Sequence, residues 1–353
     1  MVARKDSKML ISSKGQVKRF TSPDYNFLFN LKNGFFARWG RTPNDDPEFS
    51  PYGCEILDIE VSTVCSRACS FCYKSNTVKG QNMSLASFQR IIDKMPPTLT
   101  QIAIGIGDID GNPDLWYMMA YCRKEGIIPN ITINGQRMTA TRYDKLVQYC
   151  GAVAVSLYED DVCYDAVKEL TDRGLTQVNI HALLAEDTLD LCWKVLKDRQ
   201  TDSRLAKLNA IVFLWLKPKG KRNSFRQISR PNFQALVEYA LREGISIGFD
   251  SCSAPQFLGV IRDHPRYPAI EQQVESCEST LFSYYINAEG RGFPCSFAED
   301  GVGYHGIDAL HTQDFLEDVW FGEESQRFRQ RVLATKDQHN CRRCPLYPLG
   351  EEL

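Results

Sequence analysis

The sequence predicts an α/β protein, a partial TIM-like (β/α)6 barrel followed by a small α+β domain at the carboxyl end. From residue 55 onward, apolar strand-like runs alternate with amphipathic helical segments, which is the pattern of parallel β/α units. Three cysteines follow the first of these runs directly, and four more lie beyond residue 276. We expect three regions: an amino-terminal cap over residues 1–50, the barrel over 51–250 and the small domain over 251–353.

Length and charge exclude several classes of protein. A chain of 353 residues can bury a large core, and its 42 Lys and Arg nearly balance its 44 Asp and Glu, so no global attraction to nucleic acid or anionic membrane is expected. No apolar run is long enough to span a bilayer, and the polar start at Met1–Lys8 does not resemble a secretory signal. We therefore expect a cytoplasmic protein with no membrane partner.

Cysteine usage supports the same conclusion. The thirteen cysteines are an odd number, and thiols stay reduced in the cytoplasm, so clustered cysteines are better interpreted as metal ligands than as disulfides. Most of the cysteines outside the two groups are expected to be small buried side chains.

The elements follow in chain order. An aromatic hairpin is predicted over residues 25–39, closed around Lys32-Asn33-Gly34. The expected barrel strands are Glu55–Val61, Gln101–Ile106, Ile128–Ile133, Ala152–Leu157, Gln177–Leu183 and Leu208–Leu216, with a possible seventh at Ile245–Phe249. Apolar residues at helical spacing predict helices after Ser84, over 163–170 and over 233–241. Because barrel chemistry takes place at the carboxyl ends of the strands, the loop after the first strand is expected to face the active site.

That loop holds Cys65, Cys69 and Cys72 in the spacing C-x-x-x-C-x-x-C, with Phe71 and Tyr73 on either side of the third cysteine. A structural zinc site takes four protein ligands, whereas a 4Fe-4S cluster held by three cysteines leaves one iron open. The motif and its position after a strand resemble the radical S-adenosylmethionine superfamily. The resemblance implies a 4Fe-4S cluster that binds S-adenosylmethionine, a 5′-deoxyadenosyl radical that takes a hydrogen atom from the substrate, and an external one-electron reductant such as flavodoxin or ferredoxin.

The same resemblance implies further cofactor contacts at the other strand ends, besides those of Phe71 and Tyr73. Gly105, Gly107 and Asp108 stand where the family usually has Gly-Gly-Glu-Pro, so Asp replaces Glu and the proline is missing. Thr132 and Asn134 resemble the family's Thr-Asn-Gly turn with one extra residue. Ser156 matches a serine that contacts ribose, and His181 at the fifth strand either touches cofactor or substrate or is a satisfied core histidine.

The second group of cysteines comprises Cys277, Cys295, Cys341 and Cys344. A strand, a glycine turn and a second strand would pair Cys277 with Cys295, and Cys341 and Cys344 form a C-x-x-C. Ligand count alone allows either zinc or a 4Fe-4S cluster. The segment resembles the twitch or SPASM-like extensions of radical S-adenosylmethionine enzymes, which implies an auxiliary 4Fe-4S cluster, with zinc as the alternative.

The substrate has two candidate classes. Auxiliary-cluster extensions are most familiar in enzymes that modify peptides or protein side chains, which favours a peptide or protein substrate. The basic loop at residues 217–230 would instead neutralise phosphates if the substrate were a nucleotide or nucleic acid, although a charge run is more often a solvated loop. A third alternative is a non-catalytic iron-sulfur or zinc protein.

Cys252 follows the last expected barrel strand and so would face the active-site cavity. It has three possible roles: a catalytic thiol that returns a hydrogen atom to the substrate, a ligand of the auxiliary cluster, or an inert buried thiol.

Overall fold

The computed structural model describes residues 8–11, 16–301, 303–337 and 341–349. The amino-terminal part is an antiparallel sheet whose strands neighbour one another in chain order. They are β1 (Lys8–Ile11), β2 (Val17–Thr21), β3 (Asn26–Asn30) and β4 (Phe36–Trp39). The hairpin predicted for the aromatic segment is the β3–β4 pair.

The sequence did not reveal β1 and β2. The reason for β2 is visible at Lys18, a cationic residue that is only 7% exposed. Its ammonium donates a hydrogen bond to the carbonyl oxygen of Leu99 at 2.5 Å, and burial lowers its pKa to about 8. A lysine on the buried face breaks the apolar alternation by which strands are recognised.

The barrel strands form one parallel run in chain order, as predicted. They are β5 (Ile56–Glu60), β6 (Gln101–Gly105), β7 (Ile128–Ile133), β8 (Val153–Ser156), β9 (Val178–Leu184), β10 (Ala210–Trp215) and β11 (Ile247–Phe249). Alternate side chains are fully buried, as Val178, Ile180 and Ala182 are on β9, while Asn179 and His181 between them stay partly open. The strands therefore present one apolar face to the core and one more polar face to the other side.

Among the described residues, six helices connect the barrel strands and pack on their apolar face, and three more follow β11. They are α1 (Leu85–Ile92), α2 (Leu115–Lys124), α3 (Ala140–Tyr149), α4 (Val162–Asp172), α5 (Leu189–Thr201), α6 (Arg230–Arg242), α7 (Ala254–Val260), α8 (Tyr267–Glu271) and α9 (Glu323–Ala334). Ser84 caps α1, because its side chain accepts a hydrogen bond from the backbone N–H of Ser87, as the sequence pattern predicts. A π-helical segment at Phe315–Trp320 precedes α9.

The carboxyl-terminal hairpin joins the barrel sheet. β12 (Ser283–Ile286) lies parallel to β5 on one side and antiparallel to β13 (Arg291–Phe293) on the other, and β14 (Ile307–Asp308) completes the edge. The hairpin was predicted, but its pairing with the first barrel strand was not. This pairing brings the second group of cysteines beside the loop that follows β5. The domain boundaries near residues 50 and 250 stay a prediction.

Within the described ranges, the helices are too short or too polar to cross a membrane.

Candidate active site

The loop that carries Cys65, Cys69 and Cys72 begins just after β5 and is held in a tight fold, and we call residues 65–77 the cluster loop. The backbone N–H of Cys65 donates to the carbonyl oxygen of Thr77 at 2.9 Å, which closes the loop at its base. Ala68 has a φ of 46°, a left-handed conformation that is uncommon for a residue with a Cβ. The surrounding structure must hold this strained conformation in place.

The three thiols lie close enough to influence one another. Burial raises the pKa of Cys69, and the neighbouring Cys65 and Cys72 thiolates raise it further, while the Arg67 guanidinium opposes both effects. A thiolate must form before it can ligate iron, and positive charge nearby favours the thiolate. The donor set therefore fits a cluster held by three cysteines.

Gly107 packs directly under this loop. A Cβ built on Gly107 would lie 2.2 Å from the carbonyl oxygen of Val64 and 2.5 Å from the Cβ of Cys65. Gly105 is similarly close to β5, since its Cβ would lie 3.2 Å from the Cα of Glu60. Gly107 thus allows the segment after β6 to approach the cluster loop, and Gly105 allows the end of β6 to lie against the end of β5.

Asp108 connects the cluster loop to the next strand end. Its carboxylate accepts a hydrogen bond from the backbone N–H of Ser66 at 2.8 Å and another from the side-chain amide of Asn134 at 3.0 Å. Asp108 is only 2% exposed. The resemblance implies cofactor contacts for Asp108 and Asn134, and the structure brings Asp108 against the cluster loop and Asn134 against Asp108.

Thr132, Ser156 and His181 lie on three neighbouring strands. Ser156 is the register partner of His181, and the hydroxyl of Thr132 lies 3.4 Å from Nδ1 of His181. Burial lowers the pKa of His181 to about 4, and the more distant Asp250 carboxylate opposes that shift only in part. The imidazole is therefore neutral near pH 7, so it can donate or accept a hydrogen bond but does not supply a positive charge.

The aromatic residues beside Cys72 point to different neighbours. The ring of Phe71 packs against Phe225, with 5.2 Å between the centroids, whereas the ring of Tyr73 packs against Phe297 at 4.6 Å. Phe71 therefore contacts the loop after β10, and Tyr73 contacts the segment that follows Cys295. Their predicted contacts with the cofactor stay predictions.

The basic loop after β10 supports the cluster loop and the second cysteine group. Arg222 donates to the carbonyl oxygens of Asn76 at 3.1 Å and of Cys69 at 3.4 Å. Lys219 donates to the carbonyl oxygens of Ser296 and Glu299, at 3.0 and 2.7 Å. These side chains are engaged with backbone oxygens of the protein itself.

Lys217 is buried, with 4% exposure, and forms an ion pair with Asp250 at the end of β11. A lysine in this position is costly to bury unless a partner compensates its charge. The pair therefore connects the ends of β10 and β11 beneath the second cysteine group. Nothing in the sequence distinguished Lys217 from the more exposed charges that follow it.

A second buried charged group was also missed. The ammonium of Lys74 forms an ion pair with Glu60 at 3.2 Å and another with Glu299, and it donates to the hydroxyl of Tyr285 at 2.7 Å. Burial raises the pKa of Glu60, while Lys74 opposes that rise. Glu60 ends the first barrel strand and Lys74 follows the cysteine motif, so their positions in the sequence indicated that both lie near the site. Only the fold reveals that they pair with each other and with Glu299.

Cys277, Cys295 and Cys344 lie together beside the barrel. Burial raises the pKa of Cys295 to about 12, and the thiolates of Cys277 and Cys344 contribute to that rise. Cys252 and Cys344 line one cavity of about 260 Å³, whereas Cys341 lies near Ser276. The structure therefore places a fifth cysteine, Cys252, beside the four that the sequence predicts as ligands of the auxiliary cluster.

The arrangement of the thiols bears on the kind of metal. In the described part of the chain, no three His, Cys, Asp or Glu side chains converge as they would on a single ion. Zinc requires four ligands at about 2.3 Å or less from one centre, whereas a 4Fe-4S cluster spreads its thiolates around a larger group. The thiolates of a 4Fe-4S cluster therefore stand farther apart than the ligands of one zinc ion.

Comparison with known proteins agrees with this geometry. Residues 59–176 match the model of the radical SAM superfamily, and residues 277–345 match that of the SPASM iron-sulfur cluster-binding domain. By sequence, no curated protein matches the chain.

Solved structures share the fold at low sequence identity. SuiB of Streptococcus suis bound to S-adenosylmethionine has a TM-score of 0.61 at 15% identity, over 81% of this chain and 70% of that one. SuiB bound to its precursor peptide SuiA has a TM-score of 0.66 at 14% identity, over 93% and 98%. The enzyme anSMEcpe with bound AdoMet and the Cp18Cys peptide has a TM-score of 0.56 at 14% identity, over 81% and 88%.

The two domain matches agree with the structure. One falls on the barrel and the three-cysteine loop after its first strand, and the other falls on the second cysteine group. The chain is an enzyme that uses a 4Fe-4S cluster and S-adenosylmethionine, and its SPASM domain binds auxiliary iron-sulfur clusters. It belongs to the radical S-adenosylmethionine superfamily and carries a SPASM-type cluster-binding domain.

Proposed function

We propose that this enzyme abstracts a hydrogen atom from a side chain of a peptide or protein substrate. Cys65, Cys69 and Cys72 would hold the reactive cluster, and the bound cluster with S-adenosylmethionine supplies one-electron cleavage of a carbon–sulfur bond. The residues of the chain do the rest. Asp108, Gly107 and Arg222 fix the cluster loop, and neutral His181 offers a hydrogen bond on the polar face of the strands.

One observation carries the choice of a peptide. A cavity of about 920 Å³, which we call the auxiliary cleft, lies between residues 73–81 after the third cysteine and residues 287–305 of the carboxyl-terminal hairpin. Its walls are polar and carry both signs of charge, with Lys79 and Arg291 beside Glu289 and Asp300. An extended polypeptide presents backbone donors and acceptors and mixed side chains, so a polar cleft with both charges suits it.

The basic loop argues in the same direction. A nucleotide needs arginines or lysines free to bind its phosphates. Lys217 is instead paired with Asp250, and Lys219 and Arg222 donate to backbone carbonyls. Three of the basic side chains that suggested a phosphate site are thus engaged with the protein itself, whereas Lys221, Arg226 and Arg230 are exposed.

The peptide-bound structures support the proposal by analogy. SuiB was solved with the precursor peptide SuiA, and anSMEcpe with the Cp18Cys and Kp18Cys peptides. At 13 to 15% identity to these structures the fold is shared, and the substrate class for this chain rests on the auxiliary cleft.

The proposal includes a compartment and an electron donor. All thirteen cysteines are free thiols in the structure, which suits a reducing location such as the cytoplasm. An external one-electron donor such as flavodoxin or ferredoxin would reduce the cluster.

The substrate class can be tested without knowing the substrate. The reconstituted enzyme is incubated anaerobically with S-adenosylmethionine, dithionite and an extract of its own source cells, and 5′-deoxyadenosine is measured by chromatography. We expect the extract to stimulate release, proteinase treatment of the extract to abolish the stimulation, and nuclease with phosphatase to leave it unchanged. Stimulation that survives proteinase and disappears with nuclease and phosphatase would replace the peptide by a nucleotide or nucleic acid.

A further inference from the structure

The cavity of about 260 Å³ that Cys252 and Cys344 line is separate from the auxiliary cleft. It lies between α6, α7 and the carboxyl-terminal residues 343–349, and in the described part of the chain it shares no lining residue with the auxiliary cleft. The peptide proposed above would occupy the auxiliary cleft. The smaller cavity is therefore open to a different partner.

Three arginines line this cavity, which we call the arginine pocket. Arg230 begins α6, Arg262 follows α7, and Arg343 stands inside the C-x-x-C, and all three are exposed. Among the described residues that line the pocket, they are the only Lys, Arg, Asp or Glu residues, whereas the auxiliary cleft carries both signs of charge. Because the chain as a whole is nearly balanced in charge, the arginine pocket is a local concentration of positive potential.

Two of the arginines are placed by neighbouring segments. A Cβ built on Gly259 would lie 4.0 Å from a guanidinium nitrogen of Arg230, so the side chain of Arg230 reaches from α6 to α7. The backbone N–H of Arg343 donates to the hydroxyl of Thr335 at 3.0 Å, which holds this part of the last segment against the end of α9. The pocket thus brings together residues that are distant in sequence.

The pocket also has apolar walls. Pro255, Tyr347 and Pro348 line it, and each of them is at least partly exposed. Protein interfaces combine apolar and aromatic contacts with a charged rim, and arginine and tyrosine are enriched in them. A small anion would use the charges alone, whereas the surface of a protein would use both features. The pocket therefore fits a protein partner that presents acidic side chains.

A cysteine of the SPASM domain lies at the same place. Cys344 lines the pocket, and it falls within residues 277–345, which match the iron-sulfur cluster-binding domain. A partner that docks on the three arginines would lie beside this domain. Electron transfer between two proteins requires their redox groups to come close, so a docking surface at this position suits a partner that delivers electrons.

We propose that the arginine pocket is the docking surface for an acidic one-electron carrier protein, which reduces the enzyme through its SPASM domain. In each transfer one electron leaves the reduced carrier, which is oxidised, and enters an auxiliary iron-sulfur cluster, which is reduced. No covalent bond forms or breaks, and no proton moves. This inference rests on the external electron donor of the proposed function and is independent of the substrate.

The test uses full-length enzyme reconstituted anaerobically, with flavodoxin as the acidic carrier and without S-adenosylmethionine or cell extract. Binding of oxidised flavodoxin is measured by biolayer interferometry, and reduction of the clusters by reduced flavodoxin is followed by stopped-flow absorption. Each reduction rate is divided by the rate with photoreduced 5-deazariboflavin, a small uncharged reductant, which corrects for cluster content. For wild type we expect at least a roughly tenfold lower rate in about 300 mM salt than in about 50 mM, because salt screens the attraction.

Arg230→Glu/Arg262→Glu should weaken flavodoxin binding and slow reduction by at least about tenfold, because repulsion replaces attraction at the docking surface. Arg230→Lys/Arg262→Lys keeps both charges and should stay within about threefold of wild type. The matched control is Arg90→Glu/Lys124→Glu, which makes the same change in net charge at exposed positions on α1 and α2. It should also stay within about threefold of wild type.

The triple variant Cys65→Ala/Cys69→Ala/Cys72→Ala locates the point of entry, because it lacks the expected ligands of the first cluster. Flavodoxin should still reduce it, and adding Arg230→Glu/Arg262→Glu should again slow the reduction by at least about tenfold. Unchanged binding and reduction in Arg230→Glu/Arg262→Glu, an equal loss in the matched control, or no reduction of the triple variant by flavodoxin would each overturn the proposal. Proteinase treatment of the cell extract tests the peptide substrate separately, so the two proposals fail independently.

Discussion

The carboxylate of Asp108 accepts a hydrogen bond from the backbone N–H of Ser66, 2.8 Å away, and thereby attaches the end of the second barrel strand to the cluster loop. The same carboxylate accepts from the side chain of Asn134. A carboxylate can serve two donors at once, whereas an amide has only one oxygen.

Replacing Asp108 should therefore destabilise the cluster loop, and the effect should grow with the number of carboxylate oxygens that are removed as hydrogen-bond acceptors. For Asp108→Ala we expect a destabilisation of about 1–3 kcal/mol and loss of most of the first cluster, because buried donors are left unpaired. Asp108→Asn should fall between Asp108→Ala and wild type. The measurement is iron per chain and 5′-deoxyadenosine yield after anaerobic reconstitution.

The control for this prediction is Asp110→Ala. Asp110 forms partly exposed ion pairs with Arg137 and Arg142, and such pairs contribute little. If Asp110→Ala lowered the iron content of the first cluster as much as Asp108→Ala does, the hydrogen bond from Ser66 to Asp108 would not be what holds the cluster loop.

A second prediction concerns Gly107. Because a Cβ at this position would lie 2.2 Å from the Val64 carbonyl oxygen, Gly107→Ala must displace either β6 or the cluster loop. We expect at least a tenfold loss of 5′-deoxyadenosine formation together with a lower iron content. At Gly248 on β11 the nearest atom to a new Cβ would be a Val212 methyl at 3.4 Å, so Gly248→Ala should retain most of the activity. Equal activity of the two variants would contradict the close packing described above.

The third prediction concerns the Lys217–Asp250 ion pair. Lys217→Met leaves a partly buried carboxylate without its cation, which should destabilise the protein by about 3 kcal/mol, as expected for removing one partner of a buried pair. The double variant Lys217→Met/Asp250→Asn should recover part of that loss. Thermal unfolding of wild type, Lys217→Met, Asp250→Asn and the double variant forms a double-mutant cycle, and purely additive losses would show that the two residues do not interact.

The fourth prediction is a pH dependence. His181 has a folded pKa of about 4, below its unfolded value of about 6.5, so the unfolded chain binds more protons between these values. The contribution of neutral His181 to the free energy of unfolding is complete above pH 6.5 and falls as the pH decreases toward 4. Other buried groups titrate too, among them Asp58, whose pKa burial raises to about 6, and so the comparison must be with a variant.

That comparison uses His181→Gln, which has no titrating group. Between pH 7 and pH 5, the free energy of unfolding of wild type should fall by about 2 kcal/mol more than that of His181→Gln. Urea unfolding under argon measures both values. Parallel losses in the two proteins would mean that His181 is accessible to protons in the folded state.

The sequence predicted the barrel strands well because each is a short apolar run bounded by polar residues, as in Ile128–Ile133, whose bounds agree with β7. It failed where burial contradicts residue type. Lys18 and Lys217 are both less than 8% exposed, and a lysine in the sequence predicts solvent. Their partners, the Leu99 carbonyl and Asp250, are distant in sequence, and only the fold brings them near.

The cysteine groups show the same limit. The spacing of Cys65, Cys69 and Cys72 within one loop is local, so the sequence alone was enough to propose the first cluster site. The second group is assembled from segments that are far apart in the chain, and only the fold shows that Cys252 and Cys344 line one cavity. The parallel pairing of β12 with β5 was equally invisible, because a strand's sequence does not specify its partner.

The central claim is that Cys65, Cys69 and Cys72 hold the cluster that cleaves S-adenosylmethionine. The most direct test compares wild type with the triple variant Cys65→Ala/Cys69→Ala/Cys72→Ala, both reconstituted anaerobically and reduced with dithionite, and measures 5′-deoxyadenosine. We predict release by wild type and at least a hundredfold less by the triple variant, which should still hold about four irons in its auxiliary cluster. Undiminished release by the triple variant, or none by iron-loaded wild type, would contradict the account.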